Sequence, residues 1–122
     1  MQYLLLAYQD ERLLDALSAN QRDALASACR DSDEMLRQSG HLVAAQSLHS
    51  NRDTATVRVC NGQLSVAEGP VAEIREQLVG VFCISARDLN EAIQVAATMP
   101  QARGGPIEVR PIIEPSSVIR SR

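Results

Sequence analysis

The order of the apolar segments constrains this chain more than any other feature of its sequence. Short runs that fit β-strands occur at 2–8, 41–49, 54–60, 63–67, 79–85 and 107–113. Two segments with helical spacing interrupt them, one after the first strand and one before the last. The predicted order is β-α-β-β-β-β-α-β, which becomes β-α-β-β-α-β without the small hairpin. This is the ferredoxin-like α+β pattern, an antiparallel sheet with both helices on one face.

The first helix is predicted from its caps as well as from its spacing. Ser18 and Gln21 form a capping-box pattern, in which each side chain satisfies the other's backbone N–H. Gly40 fits the residue after the helix, because glycine adopts a left-handed backbone at little cost. We expect the apolar side of this helix to comprise Leu25, Ala28, Cys29, Ser32, Met35 and Leu36.

The second helix is predicted to begin at Asp88, with Glu91 three residues further on. Its apolar stripe follows i, i+3, i+4 spacing and comprises Leu89, Ala92, Ile93, Ala96 and Ala97. Pro100 ends this helix, and a loop is expected over 101–106. Pro111 predicts that the end of the last strand lies at an edge of the sheet or outside the sheet ladder, since proline cannot donate to a strand ladder.

Asn61-Gly62 is a strong β-hairpin signal, because both residues tolerate positive φ. The preceding strand alternates, with Ala55, Val57 and Val59 on one side, which predicts a half-buried strand. Glu68-Gly69-Pro70 breaks the returning strand, and 71–78 is expected to be a loop with at most one helical turn. Residues 79–85 are predicted to form a central strand.

Helices on one side of the sheet would leave the other side uncovered. In a domain of 122 residues the cover we expect is a second copy of the chain, because soluble oligomers are mostly symmetric homo-oligomers. The sequence therefore predicts one domain over residues 1–114, a homodimer, and a flexible tail over 115–122.

Composition excludes several classes of function. The net charge is −3 and the only aromatic residues are Phe82, Tyr3 and Tyr8, which argues against a nucleic-acid partner. All twelve basic residues are arginine, so neither a Schiff-base lysine nor a P-loop lysine is available. The three cysteines are isolated, so we expect no structural zinc and no cofactor. The apolar N-terminal run is too short for a signal peptide or membrane span, which predicts a cytoplasmic protein without a membrane partner.

Four ordered motifs resemble one family. The stretch Ala67-Glu68-Gly69-Pro70-Val71-Ala72-Glu73, followed by 76–80, is similar to the motif of YCII-related proteins of the DGPF type. The stretch 99–111 is similar to the closing strand of that family, and 3–6 and 54–62 fit as well. The resemblance covers residues 1 to about 114 and implies a dimeric α+β barrel with a pocket between sheet and helices.

The resemblance also implies functions. Some relatives are proposed to use a His-Asp pair with the histidine on the first helix, one is a dehydrochlorinase of a chlorinated aromatic ring, and some are encoded beside sigma factors. This sequence departs from the motif at Glu68 and Val71, where the family has aspartate and phenylalanine. The first-helix histidine aligns with Cys29, so the general base of those relatives is missing here.

Cys29, His49 and Glu68 are the candidate catalytic residues. Cys29 would act as a thiolate or base if a nearby cation lowered its pKa, and otherwise it is a small core residue. His41 and His49 are the only histidines, and they flank one strand. His49, beside a polar turn, is the better pocket candidate, although a solvated strand-end histidine is the simpler interpretation.

Glu68 would present a carboxylate to the pocket from the rigid turn formed by Gly69 and Pro70, unless it only caps a neighbouring amide. Arg58 and Arg110 alternate out of apolar strands and would clamp a carboxylate ligand. The alternative for each arginine is an ion pair with Glu108 or Glu73.

Two hypotheses follow. The first is a small-molecule-binding dimer with at most weak acid/base activity of the lyase or isomerase kind on an organic ligand, so enzyme activity stays an open question. The second is a non-catalytic module that binds a regulatory protein such as a sigma factor. The first predicts convergent polar groups in a pocket, and the second predicts an apolar surface patch outside the dimer contact.

Overall fold

The computed structural model describes residues 1–48, 51–71 and 76–113. Its strands are β1 (Gln2–Asp10), β2 (Leu42–Ser47), β3 (Ala55–Cys60), β4 (Gln63–Glu68), β5 (Glu76–Ser85) and β6 (Ile107–Pro111). Its α-helices are α1 (Glu11–Asp15), α2 (Ala19–Gln38), α3 (Leu89–Thr98) and α4 (Gln101–Gly104), and Asn51–Asp53 forms a 3-10 turn.

The strands form two antiparallel sheets. The larger sheet has the order β2-β5-β1-β6, and β3 with β4 forms a separate two-stranded sheet. Each strand of the larger sheet runs antiparallel to its neighbours. The α+β class is confirmed, and this strand order is compatible with the ferredoxin-like pattern. As predicted, β5 is central and β6 pairs with β1 at an edge, with Pro111 opposite Tyr3.

The two faces of the larger sheet differ in burial. Tyr3, Leu5 and Ala7 of β1 are buried, and they share one core with Leu36 of α2 and with α3 residues Ala92, Val95 and Ala96. We call this side the helix-covered face. The alternate residues of β1, Leu4, Leu6 and Tyr8, lie on the opposite or open face and are only half-buried. Strand alternation produces this division.

The predicted helix caps are present. The Ser18 hydroxyl accepts a bond from the Gln21 N–H at 3.1 Å, and the Gln21 side chain accepts from the Ser18 N–H at 2.8 Å. Gly40 follows α2 with φ of 84°. At α3, the Asp88 side chain accepts a bond from the Glu91 N–H at 2.9 Å.

The predicted helix faces are partly wrong. Met35 is 70% exposed, because the inner side of α2 is the narrower row of Leu25, Cys29 and Leu36, in which Leu36 is buried and the other two are half-buried. In α3 the residues that pack on the sheet are Ala92, Val95 and Ala96, whereas Leu89 and Ile93 are exposed. Because α3 has apolar residues on two neighbouring rows, the sequence pattern leaves open which row faces the sheet. Packing favours the row with the small alanines, since they allow the helix to approach the sheet closely.

Two segments predicted as loops contain regular structure. Residues 101–104 form α4, and β5 begins at Glu76 rather than at Val79. Gly105 follows α4 where the backbone runs against β1, and a Cβ there would overlap the Tyr8 carbonyl oxygen. A residue with a side chain would therefore not fit at position 105. The predicted tail over 115–122 lies outside the described residues.

The β3–β4 hairpin has the predicted turn but not the predicted burial. Asn61 and Gly62 have φ of 52° and 76°. However, the apolar side of the hairpin is 60–69% exposed; it comprises Val57, Val59, Leu64 and Val66, which we call the hairpin stripe. The alternating pattern correctly predicts which residues share a side. It does not determine what covers that side, so the expected half-buried strand is wrong for the single chain.

Candidate functional site

A cavity of about 550 Å³ lies between α2 and the helix-covered face of the sheet. Its floor is formed by β2 and β5, including Ala45 and Phe82, and its wall is the inner side of α2. Leu14 and Leu17 close one end. This volume is within the range of small-molecule sites, and its position is the one that the family resemblance implied.

Polar side chains converge on this mostly apolar cavity. Gln9 from β1 and Gln101 from α4 are 6% and 9% exposed, and both line the cavity. Asp33 joins them from α2. Gly80 of β5 lies in the floor, where a Cβ would come within 3.2 Å of the Phe82 ring. A side chain at position 80 would crowd the Phe82 ring, so glycine at this position leaves room for the ring.

Two of these polar groups have no hydrogen-bond partner. Among the described residues, Asp33 Oδ1 and Gln101 Oε1 are fully buried acceptors without a donor. A buried acceptor left unpaired costs free energy, about 1–3 kcal/mol, so native proteins rarely keep one without a reason. Both side chains line the same cavity, so the two unpartnered acceptors belong to residues of one site.

Cys29 also lines the cavity, one helical turn before Asp33. Burial raises the pKa of the Cys29 thiol, and the Asp33 carboxylate raises it further. Burial likewise raises the pKa of Asp33, while the Arg37 charge opposes that shift. The thiol therefore stays protonated at neutral pH, which is unfavourable for a nucleophile because the thiolate is the reactive form.

Three arginines line the cavity together with Asp15 and Asp33. The Arg22 guanidinium already donates to the backbone carbonyls of Leu14 and Asp15 at 3.4 and 3.3 Å. Arg30 and Arg37 are exposed residues of α2 on either side of Asp33. Their guanidinium groups make the rim of the cavity suitable for an anion.

Of the residues predicted to form the site, the cavity includes Cys29. Glu68 ends β4 and is exposed, and Arg58 is exposed on β3, because the hairpin forms its own sheet. Arg110 forms an ion pair with Glu108 at 3.0 Å. It points to the open face, since β6 turns Ile107 and Val109 toward the core. The alternative predicted for Arg110 is therefore observed, and these side chains do not converge within one chain.

The turn after β4 is held by hydrogen bonds of Gly69. Gly69 has φ of 92°, its N–H donates to the Thr54 carbonyl at 2.6 Å, and its carbonyl accepts from the Thr56 hydroxyl at 2.7 Å. Gly69 and the half-buried Pro70 thus serve to close the base of the hairpin. His49 lies outside the described residues, so its predicted role stays a prediction.

A serine, a histidine and a glutamate also meet outside the cavity. The Ser39 hydroxyl lies 2.7 Å from His41 Nδ1, and His41 Nε2 lies 3.4 Å from Glu91 Oε1. The backbone N–H groups of Gly40 and His41 are already bonded to carbonyls of α2. They cannot stabilise an oxyanion, which a nucleophilic serine would require.

The Glu91 carboxylate in this group has a structural partner. Its oxygens accept from the backbone N–H and the side chain of Arg87, which hold the pKa of Glu91 below its usual range. The Ser39 hydroxyl also bonds the Leu36 carbonyl at 3.0 Å. These contacts tie the end of α2 to the start of α3, so the group stabilises the fold.

Two further observations concern metal ions and membranes. Within residues 1–48, 51–71 and 76–113, no cluster of three or more His, Cys, Asp or Glu side chains could hold a metal ion. None of the helices in these ranges combines the length and hydropathy needed to cross a membrane.

Sequence reasoning missed Asp33, Gln9 and Gln101. The signal for Asp33 was available, because it follows Cys29 by four residues and therefore shares its side of a helix. Gln101 lay in a predicted loop, and Gln9 lay beyond the predicted end of the first strand. Their convergence depends on how α4 packs against β1, which no local pattern specifies.

The fold and the cavity define an antiparallel α+β domain with a partly open cavity between its long helix and its sheet. The family model of the YCII-related domain matches residues 1–116. An uncharacterised protein of Rhizobium meliloti (strain 1021) is 31% identical over 114 residues, which cover 92% of each chain. The chain belongs to the YCII-related family, as its motifs predicted.

Proposed function

We propose that this chain is a small-molecule-binding protein whose site is the cavity beside α2. The observation that carries the proposal is that two side chains lining one cavity, Asp33 and Gln101, each hold a buried acceptor oxygen without a hydrogen-bond partner. Apolar walls with a few convergent polar groups are typical of ligand sites. A ligand with donor groups would satisfy both oxygens and remove the cost of burying them unpaired.

The cavity supports binding better than catalysis. The protonated Cys29 thiol is a poor nucleophile, and the predicted site carboxylate, Glu68, lies on the hairpin. Burial raises the pKa of the Asp33 carboxyl group, which lines the cavity. This group could exchange a proton with a bound ligand, which limits any activity to weak acid/base chemistry of the lyase or isomerase kind.

We propose that the protein is a homodimer in the cytoplasm. The half-buried apolar residues Leu4, Leu6 and Val81 of the open face and the exposed hairpin stripe support a second copy as cover. A two-stranded hairpin is marginally stable alone in water, so an exposed stripe of valine and leucine needs a surface to pack on. The unpaired thiols of Cys29, Cys60 and Cys83 fit a reducing compartment.

A matched pair of variants on α2 tests the binding site. Ala26 lines the cavity and is exposed on the helix, so Ala26→Phe should fill the space without disturbing the core. Ala24 is also exposed but does not line the cavity, and Ala24→Phe is the control. A fragment library screened by ¹H–¹⁵N NMR should give ligands whose shifts cluster on α2, β2 and β5.

The Ala26→Phe variant should lose these ligands, whereas Ala24→Phe should keep them. Thermal unfolding of both variants verifies that each is folded. The proposal fails if no fragment binds at millimolar concentration, or if both variants bind the fragments as the parent does.

A second candidate function has one observation in its favour. The hairpin stripe is an apolar surface outside the cavity, as expected of a module that binds a regulatory protein such as a sigma factor. This candidate requires the stripe to be free in solution. Sedimentation that shows a monomer, together with an environment-sensitive dye that binds the parent but not Leu64→Ser, would favour it over the dimer.

A further inference from the structure

We propose that the cavity takes small carboxylic acids that carry a hydrogen-bond donor on the carbon next to the carboxylate and an apolar group beyond it. This inference rests on the proposed function and specifies its ligand class. Three features of the cavity each select one part of such a molecule: the rim arginines, the unpartnered oxygens and the apolar floor.

The rim selects the carboxylate. Arg30 and Arg37 lie three residues before and four residues after Asp33 on α2, so all three share one side of the helix at the cavity. Arg30 forms no ion pair with any described residue, whereas Arg22 is already bonded to backbone carbonyls. Guanidinium groups bind carboxylates with two parallel hydrogen bonds, which makes Arg30 and Arg37 the carboxylate site.

The buried oxygens select the donor. Asp33 Oδ1 and Gln101 Oε1 are acceptors, and neither has a hydrogen-bond partner among the described residues. Side chains three or four residues apart on a helix lie about 5–6 Å apart at their Cβ atoms. A hydroxyl or amino group next to the carboxylate therefore suits an acceptor that lies one helical turn from each arginine.

The floor selects an apolar remainder. Phe82, Val79 and Ala45 line it, and Leu25 faces them from α2. A phenyl group is small enough for a cavity of about 550 Å³ and would bury its surface against these side chains. Charged or sugar-like remainders would leave their own polar groups unpaired here.

The test compares four compounds that share a phenyl group. Mandelate and phenylglycine carry the carboxylate with a hydroxyl or an ammonium beside it, phenylacetate lacks the donor, and 1-phenylethane-1,2-diol lacks the carboxylate. Dissociation constants come from NMR titrations of the full chain. We expect mandelate or phenylglycine to bind about tenfold tighter than phenylacetate and the diol, since each lost hydrogen bond to a charged group weakens binding by about this factor or more.

Variants assign the effect to residues. Asp33→Asn should reduce the preference for the donor-bearing acid over phenylacetate, and Arg30→Gln should reduce the preference for mandelate over the diol. Asp31→Asn is the control for Asp33→Asn, because Asp31 is exposed on the same helix and does not line the cavity.

The outcomes separate the ligand class from the site itself. Equal binding of phenylacetate and mandelate, or failure of all four compounds while other fragments still bind in a manner that Ala26→Phe abolishes, overturns the ligand class and leaves the site in place. Failure of every fragment overturns both. If phenylglycine alone binds tightly, the donor is an ammonium group, and the class is confirmed in its amino-acid form.

Discussion

The cavity beside α2 and the β3–β4 hairpin are incomplete in opposite ways. In the cavity, polar oxygens of Asp33 and Gln101 are buried without donors. On the hairpin, the apolar residues Val57, Val59, Leu64 and Val66 are exposed to water without cover. Each arrangement costs free energy in the isolated chain.

The chemistry of the unsatisfied groups indicates what is missing. Buried acceptors are satisfied by a small molecule or water that brings donors, because the surrounding walls leave a limited space. An exposed apolar stripe on a strand pair is satisfied by another apolar surface, and a second copy of the chain offers one in its own open face and stripe. These differences are the reason why we propose ligand binding for the first region and subunit contact for the second.

The largest difference between the two regions is expected in stability. Leu5 is fully buried on the helix-covered face, so Leu5→Ala should lower the free energy of unfolding by about 2–5 kcal/mol. The same substitution at Leu64, which is 69% exposed, should cost less than about 0.5 kcal/mol when measured on dilute protein. Urea unfolding followed by circular dichroism measures both.

Equal costs at the two positions would show that the hairpin stripe is already covered within the single chain, against the exposure observed here.

The next effect concerns association. If a second copy covers the stripe, Leu64→Ser and Val57→Ser remove apolar surface from that contact. Burying one such side chain contributes about 1.5–3 kcal/mol, so each variant should raise the dimer dissociation constant about tenfold or more. Analytical ultracentrifugation over a range of concentrations measures this constant.

Ser65→Thr is the control for these variants, because Ser65 pairs with Arg58 on the opposite side of the hairpin. A parent protein that stays monomeric at high concentration would contradict the assignment of this region to subunit contact.

The smallest effect is a pH dependence in the cavity. The pKa of Asp33 is raised in the folded chain, mainly by burial. Folding then favours the protonated carboxyl, so its contribution to stability is full below the unfolded pKa and is lost as the pH rises through the folded pKa. Asp33→Asn should therefore be more stable than the parent at neutral pH, and the gain should vanish in acid.

Unfolding midpoints in urea from pH 3 to pH 7.5 measure the difference. Asp31→Asn, an exposed position on the same helix, shows what removal of one negative charge does outside the cavity. If both variants gain the same stability at neutral pH, burial of the Asp33 carboxyl group in the cavity does not destabilise the parent protein.

Much of the fold could be predicted from local patterns. The order of the six strands and the two long helices, the capping box at Ser18, the glycine after α2 and the turn at Asn61-Gly62 were correct, since each depends on residues close in sequence. The site was less predictable. Cys29 was correctly placed on the inner side of α2, but Arg58 and Glu68 were assigned to a pocket that their own hairpin carries them away from.

The sequence by itself determined which residues share a strand side or a helix face, because those periodicities follow from backbone geometry. It also determined the family, through motifs in a fixed order. Only the tertiary structure decided which of two apolar rows of α3 faces the sheet, that the hairpin stands as a separate sheet, and that Gln9, Asp33 and Gln101 meet. These outcomes depend on packing between segments that are far apart in the chain. Local sequence preferences do not distinguish the alternative arrangements, whereas side-chain volume and the distance between backbones do.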